Sequence, residues 1–165
     1  MYVHDCSFEG SDRGIRLKSM RGRGGVVENV TFEDIQMTDL RHQAIVINMF
    51  YSSSTVVPRS KTPPVFRNIT IRNVTCERVD VAVDIRGLPE QPVSNVVLEH
   101  LHIQAVNGVH CQDVDGLTLN DISGSVEKKP LLNYENVQGL NETDVNLKKS
   151  GPGRYLPKST ESVET

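Results

Sequence analysis

Five cations, Arg13, Arg16, Lys18, Arg21 and Arg23, fall within eleven residues that contain no acid. The rest of the chain is slightly acidic, its 18 basic and 21 acidic side chains leaving a formal charge of −3. Such a cluster is a local anion site. Arg16 and Lys18 stand two apart, and on a strand residues at that spacing project from the same face. Together they can hold a carboxylate between a planar guanidinium fork and an ammonium point charge. The competing reading is a solvated charged face with no ligand. Asp84 and His110 form a second constellation, since a carboxylate beside an imidazole can move protons. On a sheet surface such a contact is more often a cross-strand polar pair, and that structural reading is the stronger one. Asp5, Glu9 and Asp12 lie near the cations in sequence, but Asp12 sits in a Gly-Ser-Asp-Arg-Gly turn that favours short polar residues for backbone reasons. No catalytic residue is assigned.

The elements that would carry these residues are strands. With 22 Val and 9 Ile against 3 Ala, the composition favours pleated, half-buried surfaces over a helical bundle. A hydrophobic share of 37% supports one modest core in 165 residues. The phrase Asn29-Val30-Thr31-Phe32-Glu33-Asp34-Ile35 recurs as Asn68-Ile69-Thr70-Ile71-Arg72-Asn73-Val74 and as Asn95-Val96-Val97-Leu98-Glu99-His100-Leu101. Gly116 to Ile122 keeps its apolar positions, and Met1, Val3 and Cys6 stand where Val30, Phe32 and Ile35 do. Apolar–polar alternation marks a strand with one face buried, and the leading Asn or Gly suits a bend that needs a permissive backbone.

Each phrase is followed by a second alternating segment, beginning at Gly14, Ala44, Ala82 and Gly108. Two strands per repeat with matched separations predict an all-β fold, a right-handed parallel β-helix in which each coil buries its inner face only when another stacks on it. A sandwich or barrel is the alternative, but neither requires both segments to return together. Stacking predicts interior rows Ile15-Ile45-Val83-Val109 and Leu17-Ile47-Ile85-Cys111, and outward rows Arg16-Val46-Asp84-His110 and Lys18-Asn48-Arg86-Gln112. The extra length between Ile47 and Ala82, with Ser52-Ser53-Ser54 and Pro58 through Pro64, reads as an exposed loop. Pro130 to Tyr134 can add one more coil. The domain reading is a partial β-helix over residues 1–147 and a polar, flexible tail over 148–165.

At this point the residues resemble a known family. Gly14-Ile15-Arg16-Leu17-Lys18, set between Phe8-Glu9-Gly10-Ser11-Asp12-Arg13 and Gly22-Arg23-Gly24-Gly25, is similar to the Arg-(Ile/Leu)-Lys region of the pectin-degrading glycoside hydrolases of family 28, the polygalacturonases. Gln43 to Tyr51 is similar to that family's next coil, where a tyrosine borders the substrate cleft. The resemblance runs from about Met1 to Leu140. It implies that Arg16 and Lys18 bind a galacturonate carboxylate, with a lesser role for Tyr51, and that the partner is an acidic polysaccharide. It also implies inverting hydrolysis by aspartates of an Asn-Thr-Asp segment and an Asp-Asp pair, assisted by a histidine of a Gly-His-Gly segment. None of these three motifs occurs in the sequence. Inversion needs two carboxyl groups flanking the scissile bond, so the expectation is a C-terminal fragment of such a hydrolase that is inactive alone. A non-catalytic acidic-glycan-binding or structural β-helix is the alternative, and the genomic sequence upstream separates the two.

Other signals rank lower. Cys6, Cys76 and Cys111 have no metal or disulfide spacing and read as core residues. His100 and His102 lack a third ligand at suitable spacing, so no metal and no cofactor is expected. Asn29, Asn68, Asn73 and Asn141 match the glycosylation acceptor pattern, yet in the phrase Asn is explained by bends and Thr by strand preference. The charge balance and the lack of interleaved aromatics oppose nucleic acid, and no apolar run reaches membrane-spanning length. The chain shows no signal peptide, whereas the parent enzyme implied by the resemblance is secreted or periplasmic. A β-helix opening mid-coil presents unpaired edges, so self-association through the uncapped N-terminal end is expected.

Overall fold

A computed structural model describes residues 1–50, 58 and 62–151. It contains six strands: β1 (Tyr2–Glu9), β2 (Ile15–Lys18), β3 (Val26–Asn48), β4 (Val65–Arg86), β5 (Val93–Val126) and β6 (Leu132–Lys149). All pairings between them are parallel, in the order β1-β3-β4-β5-β6 with β2 also on β3. The molecule is therefore a parallel β-helix. β1 and β2 make the first coil, β3 the second and β4 the third. β5 is long enough to stack on β4 through its first part and under β6 through its second.

Strands this long must turn corners, and the sequence supplies the corners. Asn29, Asp34 and Asp39 in β3, Asn68, Asn73 and Arg78 in β4, and Asn95 and His100 in β5 all have φ between 51 and 58°. A side chain in this left-handed region crowds the following carbonyl, and Asn and Asp tolerate it best because their short polar groups bond locally. The corner residues also stack. Asn68 Nδ2 donates to Asn29 Oδ1 at 3.1 Å, Asn95 Nδ2 to Asn68 Oδ1 at 3.2 Å, and Asn73 Nδ2 to Asp34 Oδ1 at 3.2 Å. The leading Asn of each phrase is thus a bend residue that satisfies its neighbour one coil away. Three of the four acceptor-pattern asparagines, Asn29, Asn68 and Asn73, belong to these ladders.

The phrases stack in the register their repetition predicts. Val30 pairs with Ile69 and Ile69 with Val96, Phe32 with Ile71 and Ile71 with Leu98, Ile35 with Val74 and Val74 with Leu101. Val3 pairs with Phe32 and Cys6 with Ile35, which places Met1 level with Val30. All nine residues of the first three rows are buried, each burial being worth about 2 kcal/mol before chain entropy is counted. Cys76 and Cys111 are buried in this core as expected, whereas Cys6 is only partly so.

In the second segment Ile15 pairs with Ile45, Ile45 with Val83, Val83 with Val109 and Val109 with Leu132. Two positions in the outward rows differ from expectation: Val46 is 3% and Asp84 8% exposed. Strict alternation assumes an uncovered sheet, and these two positions are covered. The coil begun at Leu132 runs on to Lys149, where Ser150 N–H donates to Val126 carbonyl. Most of the segment 148–165, and most of the loop containing Ser52-Ser53-Ser54, lie outside the described residues.

Charge locks the second coil to the third. Glu28 pairs with Arg67 at 2.6 Å, Glu33 with Arg72 at 3.0 Å, and Asp39 with Arg78, all at one offset of 39 residues. Exposed pairs contribute little each. Three at one offset nevertheless favour a single register, and a slip of one residue would turn the core rows outward.

Candidate functional site

The strand that carries Arg16 and Lys18 is held by a glycine. Gly14 N–H donates to the Gln43 carbonyl at 2.9 Å, and a Cβ at Gly14 would lie 2.4 Å from the Ala44 carbonyl oxygen and 2.2 Å from Met37 Sδ. Only glycine lets the first coil approach the second this closely. Beyond it, Ile15 is buried, Leu17 partly buried, and Arg16 and Lys18 are exposed. Both cations therefore emerge on one face, beside Val46 and Asn48 of β3.

Not all five cations serve that face. Arg13 NH1 pairs with Asp12 Oδ2 at 2.6 Å while its Nε donates to Gln43 Oε1 at 2.9 Å. Arg21 grips Glu90 with two bonds, Nε to Oε1 at 2.6 Å and NH2 to Oε2 at 3.0 Å, and their side chains are only 12% and 17% exposed. The segment 13–23 contains no acid, but the fold brings acids to it. Arg21 is a strap between the loop after β2 and the loop after β4. Met20 bridges to Phe50, which ties the loop after β2 to the start of the loop after β3, while the Leu88–Gln91 bridge closes the loop after β4 on itself.

Down the rows, Asp84 lies beside Val46 and His110 beside Asp84, followed by Asn133. Asn48, Arg86, Gln112 and Glu135 continue the row that begins at Lys18. Asp84 Oδ1 accepts from Arg86 Nε at 2.9 Å and lies 3.3 Å from His110 Nδ1. His110 Nε2 stands 3.8 Å from Glu135 Oε1. Asp84 and His110 do meet, as expected, but Arg86 holds the same carboxylate oxygen. That shared oxygen fits the cross-strand polar pair better than a proton-transfer couple.

Tyr51 lies outside the described residues. His100 bonds to Asp121 at 2.7 Å and His102 to Ser123 at 3.0 Å, each one coil away. Among the described residues no group of three His, Cys, Asp or Glu side chains could hold a metal. Burial pushes the Cys76 and Cys111 thiols up to about 12, so neither is a nucleophile at neutral pH. The Arg21–Glu90 strap was not legible locally, because its partners stand 69 residues apart. The face thus presents Arg16 and Lys18 at one end and a mixed row of Asp84, Arg86, His110 and Glu135 further down.

The model of glycosyl hydrolases family 28 matches residues 1–119. A polygalacturonase of Penicillium griseoroseum is 35% identical over 74 residues, 44% of this chain and 19% of that protein. A probable polygalacturonase of Vitis vinifera is 25% identical over 113 residues, 66% of this chain and 23% of that protein. A probable endopolygalacturonase B of Aspergillus kawachii is 34% identical over 85 residues, 52% of this chain and 22% of that protein. The chain thus spans about a fifth of the length of the curated relatives it matches. No solved structure matches.

Proposed function

This chain belongs to the glycosyl hydrolases of family 28, and on that premise we propose that its outward rows bind a pectin-type galacturonan through Arg16 and Lys18. The observation that carries the reading is the exposure of both cations on one face of a four-residue strand whose alternate residues are packed inward. A guanidinium fork and an ammonium on a rigid strand match a carboxylate in both shape and charge. Galacturonan presents one such carboxylate on every sugar. Cleavage is a separate matter. The Asn-Thr-Asp, Asp-Asp and Gly-His-Gly segments through which the family hydrolyses are not among these 165 residues, so the reading assigns to them substrate binding and not bond breaking.

Titration calorimetry with homogalacturonan oligomers tests this. Saturable binding is expected, weakened about tenfold or more by Arg16→Ala or Lys18→Ala, the usual loss for a charge-assisted bond. Neutral galactan oligomers should not bind. The reading fails if the double variant binds as tightly as the unmodified chain. A reducing-sugar assay on polygalacturonate should show no turnover, and appreciable turnover would overturn the assignment of binding without cleavage.

A further inference from the structure

The outward rows carry a second basic site below the first. Lys18, Asn48 and Arg86 are neighbours on β2, β3 and β4, which separates the Lys18 and Arg86 positions by roughly 10 Å at ordinary strand spacing. Beside Arg86 the surface sinks into a hollow of about 230 Å³ lined by Asp84, Arg86, Asn107, His110, Lys129 and Asn133. Its walls come from different coils, because Lys129 sits in the loop before β6 and reaches the face already occupied by β4 and β5.

Within the hollow the charges are ordered. Asp84, with its side chain only 11% exposed, accepts the Arg86 Nε–H at 2.9 Å. That bond engages only Nε, and the Arg86 side chain remains 46% exposed. Asn107 is anchored by donating to Asp80 Oδ1 at 3.1 Å. Lys129 is exposed and adds the second cation. An Arg held edge-on by a buried carboxylate, with a Lys from the next loop, repeats the chemistry of Arg16 and Lys18. Two acids oppose it: Asp84 within the hollow, already engaged by Arg86, and Glu135, 55% exposed, at 3.8 Å from His110 Nε2.

We propose that Arg86 and Lys129 form a second uronate-binding position, which takes the carboxylate of a sugar further along the same chain that Arg16 and Lys18 hold. The proposal rests on the galacturonan reading above and extends it along the helix axis. Two carboxylate positions on one rigid face act as linked sites, so the second adds affinity only for ligands long enough to reach it.

The test is calorimetric titration of the full 165-residue chain with homogalacturonan oligomers of increasing length. Affinity should rise in a step of about tenfold once the oligomer spans both positions, one further charge-assisted contact being worth that much. Lys129→Ala and Arg86→Ala should each flatten the step and leave the affinity of the shortest binding oligomer unchanged. Methyl-esterified oligomers should show no step. Glu135→Gln should raise the step, a gain that misfolding cannot produce, and so guards against an Arg86 variant that fails to fold. A step that survives both Lys129→Ala and esterification, or the absence of any step, overturns the second position while leaving the first intact. Absence of all binding, or short-oligomer binding indifferent to Arg16→Ala, overturns both.

Discussion

Glu33 shows how single residues here serve the stack. It accepts the Tyr2 hydroxyl and lies 3.0 Å from Arg72 Nε, and these two bonds, the Tyr2 one first, hold its carboxyl below the ordinary glutamate range. A depressed acid stabilises the folded chain above its unfolded pKa, and that contribution is lost as pH falls through the folded value. Glu33→Gln should therefore lower the thermal midpoint at neutral pH, and the difference from the unmodified chain should vanish in strong acid. At this scale Arg16 and Lys18 were legible, because strand alternation is a local rule. The commitments of Arg13 and Arg21 were only half so. Asp12 is adjacent to Arg13, whereas Glu90 reaches Arg21 only after two further coils have been wound. Alternation puts Asp84 and Arg86 on one face, where they bond, but the cover that leaves Asp84 8% exposed depends on neighbours that alternation does not describe.

The element that explains most of the fold is the corner. Asn68 stands at φ 56° and is bonded to Asn29 above and Asn95 below. Asn68→Ala should cost about 2 kcal/mol in chemical denaturation, combining left-handed strain with a lost side-chain bond. Asn68→Gly should cost less, since glycine removes the strain and forfeits only the ladder. Equal losses for the two variants would mean that the corner conformation contributes nothing. Phrases led by Asn announced these corners plainly. β6 was harder to read, because its strand from Leu132 to Lys149 is exposed at most positions and its inward residues, Leu132, Tyr134, Val137, Val145 and Leu147, are only partly buried and spaced irregularly among polar ones. A strand packed on the core at so few points carries little periodic signal.

Across the whole molecule, long-range ties run along the stack axis. The Arg21–Glu90 pair joins the first coil to the third over the second. Breaking a part-buried bidentate pair by Glu90→Ala should lower unfolding stability by about 2 kcal/mol, and Arg21→Ala in that background should add little, which a double-mutant cycle would show. Full additivity would mean that the two side chains act independently. The coils so tied are unequal: Ile15, Ile45, Val83, Val109 and Leu132 stand side by side although 30, 38, 26 and 23 residues separate them along the chain. Inner rows and corner ladders stay constant while the connecting stretches vary. Differences in the length of the connections therefore need not disturb the rungs. The rim of such a molecule can be remodelled without reopening the question of how the chain folds.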